Sequence, residues 1–523
     1  MQTRQWAIVF VLCIFILVPG INHGIWRPDE PQVAGICSAM ARSGDWVVPR
    51  LNGVPFLEKP PLYYTVAALS GRIFGVDHDL PYRASSLLFG LLTILFTFLI
   101  ARQRGGNAVG IVSAAVLAST WEFFISMRWI QVDSAQVMGV TMALYAYLRL
   151  TQAPKQGSAI LFGLAVGLTF LAKGLVGPAI ITAGILADMI IRKDHGIFKK
   201  LKTLTVLFCC CLPAAVWGYG LWHSGGWPFV REVLVVNNLM RFTGAAEGAA
   251  LGHQHGLLYY LATFPRSFLP WTLLLIPALI ASWNNRRQNP YLGWFLGPFI
   301  LLSLASTKRS IYLLPLYPAA ACMIGLYLHE AIIKARWEDI LIKITWGIVI
   351  AGVLAPWAGI ILGLPILGIG MGILALGGLV IIAREPALRR SGLALSLSMC
   401  MVLSAGMTVY FVYRQPLEDY LPFTRAALKT AGKENIIVLS PDEIFEGLQP
   451  MLTGKTCATV SRPEDVKVEG LYIWADKHDE ILHGMNRKGR VEVLVEQKIG
   501  SKQARFARIV PARPDLHHTE RRS

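Results

Sequence analysis

Between Arg27 and Tyr64 the chain sets ionisable residues among prolines and glycines. It reads Arg27-Pro28-Asp29-Glu30-Pro31, then a short amphipathic run to Arg42, then Gly44-Asp45-Trp46, then Glu58-Lys59-Pro60-Pro61-Leu62-Tyr63-Tyr64. Pro60 and Pro61 fix φ and push Lys59 toward an extended conformation, so the Glu58 carboxylate and Lys59 ammonium leave a stiff segment in opposite directions. Such a pair beside a bilayer suits a lipid phosphate on one side and a sugar or metal on the other; the plain alternative is a surface ion pair in a turn. Asp29, two residues before Pro31, also fits an ordinary helix N-cap. The run from Ala34 to Ala41 is expected to be a short, weakly apolar helix lying on the membrane surface.

Further along, Arg128 and Asp133 flank Trp129 in a short hairpin between two apolar runs. Ionisable groups near membrane depth are costly and mark function by default. A second polar stretch offers Asn237, Asn238, Arg241, His253 and His255, followed by Tyr259-Tyr260. The two histidines have alternate spacing rather than the helical spacing of a zinc hydrolase, which leaves one of them as a ligand for a hard cation with nearby carboxylates. Lys308 and Arg309 occupy a tight turn, with Tyr312 just below. Their positive charge, like that of Lys173, stands on the outer side against the usual topology, and an anionic headgroup would account for it; for Lys173, snorkelling is the alternative.

The elements that carry these residues are membrane spans. The chain has 523 residues, 54% of them hydrophobic and only 15% charged, and continuous apolar runs of about 20 residues recur between short loops. Helices satisfy their own backbone in lipid, whereas a barrel would need short alternating segments. Spans are expected near 5–21, 81–101, 107–124, 133–151, 158–173, 175–191, 203–222, 257–283, 291–307, 311–330, 340–363, 366–383 and 392–412, about thirteen in all. No small-x-small cleavage site follows the first, which is read as an uncleaved span with its N-terminus inside.

The net charge of +17 is concentrated in alternate loops, at Arg102 and Arg104, Arg149 and Lys155, Arg192 to Lys202, Arg286 and Arg287, Lys334 and Arg336, and Arg384 to Arg390. That pattern sets topology and carries no nucleic-acid signature. It puts the loop of 22–80, the Arg128–Asp133 hairpin, the loop of 223–256 and the Lys308-Arg309 turn together on the outer face. Six of the eight cysteines fall in apolar segments; Cys37 and Cys457 are left as candidates for the outer side, where one disulfide between them stays open although no spacing supports it. After the membrane module of 1–412, residues 413–523 read as a small soluble α/β domain on the outer side. Strands are expected at Ile436–Leu439, Leu471–Trp474, Val491–Val495 and Arg505–Val510, a helix at Asp442–Leu452, and a disordered tail after Pro511.

Asp29-Glu30, the run Gly44-Asp45-Trp46-Val47-Val48-Pro49-Arg50-Leu51-Asn52-Gly53, Glu58-Lys59-Pro60-Pro61, Arg128 with Asp133, His253 before Tyr259-Tyr260, and Lys308 to Pro315 resemble the bacterial ArnT-like branch of the protein mannosyltransferase superfamily. These are glycosyltransferases of the GT-C fold class, and the likeness runs in order through the first ~330 residues. The resemblance implies a polyprenyl (undecaprenyl) phosphate sugar donor, used at the periplasmic face of the bacterial inner membrane. It implies that Asp29 is the catalytic carboxylate and Asp133 a second essential one, and that Glu58 and His253 lie near a divalent cation (Zn, Mg or Mn). It offers Lys59, Arg128, Lys308, Arg309 and Tyr312 as holders of the donor phosphate. Gly256 stands where family members commonly carry Pro three residues after the His.

On this reading the enzyme is an inverting hexosyl- or pentosyltransferase whose acceptor is lipid A or another lipopolysaccharide component. A protein hydroxyl, in protein O-glycosyl transfer of the mannosyl type, is the second choice. A transporter or lipid flippase would place charges deep in the helices and toward both faces, whereas here the polar and aromatic residues gather on one side.

Overall fold

The computed structural model describes residues 17–18, 21–25, 29–194, 196–244, 254–333, 417–439, 442–475 and 489–511. The expected spans over 340–363, 366–383 and 392–412, nearly all of the first span, His253 and the tail after Pro511 lie outside the described residues.

The membrane part is built of helices. They are α1 (Asp29–Ser43), α2 (Leu62–Phe74), α3 (Leu80–Ala118), α4 (Trp121–Ser126), α5 (Asp133–Gln152), α6 (Gln156–Lys173), α7 (Val176–Arg192), α8 (Thr203–Arg231), α9 (Tyr259–Ser267), α10 (Thr272–Asn284), α11 (Tyr291–Leu304) and α12 (Tyr317–Ile333). Among the described residues, four helical segments are long and apolar enough to cross a membrane: Leu80–Ala118, Gln156–Lys173, Thr203–Thr243 and Ser310–Glu330. The α9–α10 pair, bent by 112°, makes a fifth if it counts as one span.

Residues 81–101 and 107–124, expected as two spans, fall in one element, α3, which breaks at Gly106 (φ 71°), a left-handed conformation open to glycine. Three boundaries also differ from the sequence expectation. The helix expected over 107–124 ends at Ala118, where the Ser119 and Thr120 hydroxyls donate to the end carbonyls of Ala115 (2.6 Å) and Val116 (2.9 Å). The run over 257–283 is broken between Ser267 and Thr272. The stretch after 222, expected to be an outer loop, stays helical. It kinks at Gly226 (φ 65°), a conformation open to glycine, and Pro228 restarts the helix. A π-helix, Glu232–Met240, follows. Its wide turns are laced by Asn238 Nδ2 donating to the Val233 carbonyl (2.6 Å) and Asn237 Nδ2 to the Glu232 carbonyl (3.1 Å), each five residues back.

Helix α1 is also placed differently from the surface position expected of it. From Glu30 to Ala41 nearly every residue is buried. Its small residues Ala34, Gly35, Cys37, Ser38 and Ala41 allow close approach on more than one side, and part of what covers it comes from the C-terminal region. That region carries α13 (Tyr420–Ala431), α14 (Glu443–Thr453) and strands β3 (Ile436–Leu439), β4 (Ala458–Val460), β5 (Leu471–Ala475), β6 (Gly489–Ile499) and β7 (Lys502–Pro511). The strands form one sheet in the order β4-β3-β5-β7-β6, parallel among β4, β3 and β5 and antiparallel from β5 through β7 to β6. Helix α14 crosses α1 at a glycine contact. A Cβ on Gly447 would lie 2.2 Å from the Pro31 carbonyl oxygen, and one on Gly35 2.6 Å from the Gly447 Cα.

Polar contacts complete the docking. Asp419, the N-cap of α13, accepts from the Ile25 N–H (3.1 Å), and Tyr420 N–H donates to the Ile25 carbonyl (3.0 Å). The hairpin of β1 (Arg50–Leu51) and β2 (Val54–Pro55) presents Asn52, whose side chain exchanges two hydrogen bonds with the Cys457 backbone (2.8 and 2.9 Å). Cys37 and Cys457 are both free thiols.

Because backbone stands on both sides of the glycine contact, neither helix yields by a rotamer change. Gly447→Ala is expected to cost about 1–3 kcal/mol, read as a lower melting temperature of the purified protein and faster proteolysis between α13 and β7; an unchanged melting curve would contradict this packing.

Candidate active site

Four segments distant in sequence bring their charges together at one end of the helices. Asp29, the first residue of α1, pairs with Arg309 (Oδ2 to Nη2, 2.7 Å), which directly precedes the 3-10 turn Ser310–Leu316. Glu58, in the stiff loop before α2, pairs with Arg241 and lies 3.8 Å from Lys59 Nζ. Asp133, the first residue of α5, pairs with Lys173, the last residue of α6. Gln131 Nε2 also donates to Asp133 Oδ2 (2.7 Å), and the Lys173 ammonium sits over the Tyr312 ring, 3.9 Å from its centre. Cations thus outnumber carboxylates by one among Lys59, Lys173, Arg241, Arg309, Asp29, Glu58 and Asp133.

Of these side chains, Glu58, Lys59, Lys173, Arg241 and Tyr312 line an open pocket. One part of its wall is polar, with Glu58, Lys59, Lys173, Asn237, Asn238 and Arg241. The other is apolar, with Val176 and Ala179 from α7, Leu301 and Leu302 from α11, and Phe242. Asn238 is fixed by the N–H of Leu175, which donates to its Oδ1 (2.8 Å) across the bend between α6 and α7. The π-helix thereby sets one edge of the pocket, as such wide turns often do at functional sites.

Electrostatics keep the loop pair charged. Burial favours the neutral form of Glu58, but Lys59 and Arg241 outweigh it and hold the carboxyl down to about 2. Lys59 is likewise disfavoured by burial, yet Glu58, Asp29 and Asp133 raise it above its ordinary value.

Of the residues named from sequence, Asp29, Glu58, Lys59, Asp133, Arg309 and Tyr312 converge here. Two do not. Lys308 is buried with its ammonium bound to the carbonyls of His255 (2.9 Å) and Ala305, so it fastens the turn instead of facing the carboxylates. Arg128 is fully buried, with its guanidinium 4.8 Å over the Phe124 ring, and is not part of the pocket lining. Lys173 and Arg241 belong to the site as well. The sequence reading offered Lys173 to an anionic headgroup and placed Arg241 in the second polar stretch, but gave Arg241 no partner, since Glu58 is 183 residues away.

The described donors do not fit a divalent cation. No three His, Cys, Asp or Glu side chains gather among the described residues, and each site carboxylate already faces at least one cation. His255 is stacked on Tyr259, with centroids 4.1 Å apart. His253, the other expected ligand beside Glu58, lies outside the described residues.

The lowered Glu58 carboxyl makes a signed prediction. Its pairing stabilises the fold fully above its ordinary value of 4.5, and that contribution is lost as pH falls toward about 2. Between those values the melting temperature of the wild type should fall more steeply than that of Glu58→Gln; parallel curves would contradict the pairing.

The family model described as dolichyl-phosphate-mannose-protein mannosyltransferase matches residues 58–217. The undecaprenyl phosphate-alpha-4-amino-4-deoxy-L-arabinose arabinosyl transferase of Pseudomonas aeruginosa (strain LESB58) is 28% identical over 350 residues, 62% of this chain and 60% of the relative. The protein of that name from Edwardsiella ictaluri (strain 93-146) is 29% identical over 384 residues, 69% of this chain and 66% of its own. The chain thus spans about 60% of the length of the first curated relatives it matches. A crystal structure of ArnT from Cupriavidus metallidurans bound to undecaprenyl phosphate superposes with a TM-score of 0.75 at 19% identity, covering 97% of this chain and 98% of that one, a likeness of fold. The chain is thus similar in sequence to the protein mannosyltransferase family over residues 58–217 and to the arabinosyl transferases over about two thirds of its length, and similar in fold to ArnT.

Proposed function

We propose that this protein is a membrane glycosyltransferase that moves a sugar from undecaprenyl phosphate to an acceptor on the periplasmic face of the inner membrane, lipid A or another lipopolysaccharide component. The observation that carries this reading is the two-part pocket. Lys59, Lys173 and Arg241 suit a phosphate, and the adjoining wall of Val176, Ala179, Leu301 and Leu302 suits a hydrocarbon chain. The curated relatives are named for transfer from such a donor. The placement of Arg149 and Arg192 in the last turns of α5 and α7, and of Arg102 beside the Gly106 break of α3, supports the orientation. About thirteen spans and an outward α/β domain complete the expected architecture.

In the proposed reaction an acceptor oxygen attacks the anomeric carbon from the face opposite the phosphate, with inversion. The bond from that carbon to the phosphate oxygen breaks, and its electron pair leaves with undecaprenyl phosphate. Charge grows on the departing phosphate, where Lys59, Arg241 and Arg309 stabilise it. Asp29, held by Arg309 within electrostatic reach of Lys59, takes the proton of a hydroxyl acceptor. A phosphate acceptor is already anionic and needs positioning only. No step is routed through a metal.

Replacing Asp29 by Asn should lower transfer to a hydroxyl acceptor by roughly 10²–10⁴-fold with normal protein levels. Mass spectrometry of lipid A and of envelope glycoproteins, from cells with and without the chain, reads the acceptor directly. A sugar increment missing from lipid A supports the proposal, one missing from protein moves the acceptor to a protein hydroxyl, and full activity of Asp29→Asn removes Asp29 from the chemistry.

A further inference from the structure

Asp29 and Asp133 are more than one hundred residues apart in sequence, yet one buried ion pair stands behind both. Arg83, on the first turn of α3, is fully buried, and Glu30, next to Asp29, is 1% exposed. The guanidinium meets Glu30 through two nitrogens, Nε to Oε1 at 3.1 Å and Nη2 to Oε2 at 3.5 Å. Its remaining capacity goes to the strand entering α1: Nη2 donates to the Gly24 carbonyl (3.1 Å) and Nη1 to the His23 carbonyl and to Asp79.

On the far side, Glu30 Oε1 accepts the N–H of Ile130 (3.0 Å). One turn beyond Arg83, on the same helix face, Ser86 Oγ accepts the N–H of Gln131 (3.0 Å). The Gln131 side chain then reaches Asp133 (2.7 Å). A rigid, planar cation with five donors thus fixes the backbone before Asp29, the residue after it, and through Glu30 the turn that presents Asp133.

We propose that Arg83 and Glu30 are positioning residues for the transfer reaction, setting the separation of Asp29 and Asp133 without touching either substrate. Neither residue lines the pocket, so donor binding should not depend on them, whereas alignment of the reacting groups should. Misplacement by a fraction of an ångström to an ångström lowers the chemical step far more than it lowers binding. The inference rests on the functional reading above.

The test uses the purified full chain with undecaprenyl phosphate-linked 4-amino-4-deoxy-L-arabinose as donor and lipid A as acceptor. Arg83→Lys keeps the charge and loses the fork; Glu30→Asp keeps the charge and withdraws it by one methylene. Each should lower kcat by roughly 10–100-fold. The donor KM, and the Kd for undecaprenyl phosphate alone, should stay within about twofold of wild type, and the double variant should be no slower than the slower single one. Wild-type kcat in both variants, or a Kd that weakens in proportion to kcat, overturns the proposal.

If these variants do not purify as folded protein, Ser86→Ala carries the same test. It leaves the ion pair whole and removes the acceptor for the Gln131 N–H together with a contact to the Tyr63 hydroxyl (2.8 Å), which keeps its bond to the Tyr82 carbonyl (3.0 Å), and should reduce kcat by about threefold or more at unchanged Kd; an unchanged kcat overturns the proposal. A wild-type chain that transfers nothing from this donor overturns the functional reading and this inference with it, which separates the two failures.

Discussion

Glu30 carries its charge almost wholly out of water, a position that would be untenable without Arg83 against it. Removing a carboxylate from solvent costs several kcal/mol, recovered only when a cation and further hydrogen bonds meet it in good geometry. Here Arg83, with the Ile130 N–H, supplies both. The same requirement recurs around the pocket. Asp29 faces Arg309, Glu58 faces Arg241 and Lys59, and Asp133 faces Lys173. Each pair spans elements distant in sequence, except Glu58 with Lys59, so charge compensation and the assembly of the outer end are one event.

A surplus of cations beside an apolar wall gives the pocket a directed character. An anionic head and a hydrocarbon tail find complementary surroundings within one cavity, and a free polar anion would leave the α7–α11 wall unused. The π-helix is part of this construction. Its wider turns expose carbonyls that Asn237 and Asn238 satisfy, and the same residues line the pocket.

The C-terminal domain also shapes the site. Helix α14 closes over α1 at the Gly35–Gly447 contact, while Asp419 and Tyr420 hold the strand that leads to Asp29. Helix α1 is therefore buried by two partners. That explains a composition of small residues with weak amphipathicity, which read alone suggests a membrane surface.

The apolar runs by themselves determined the helices from 80 to 330, since a segment of that length in lipid has no other way to satisfy its backbone. The Asp29-Glu30 and Glu58-Lys59-Pro60-Pro61 motifs likewise marked one side of the site. Local chemistry could not be read so directly: the stop at Ser119 and the restart at Gly226 and Pro228 fall at helix boundaries that hydropathy alone cannot see. Only the tertiary structure decided which charges meet. Lys308 and Arg309 are adjacent and alike in sequence, yet one ends on backbone carbonyls and the other on Asp29, because the turn that carries them points successive side chains in different directions. Arg83, Lys173 and Arg241 entered for the same reason. A buried charge is placed by its partner, and those partners lie 53, 40 and 183 residues away along the chain.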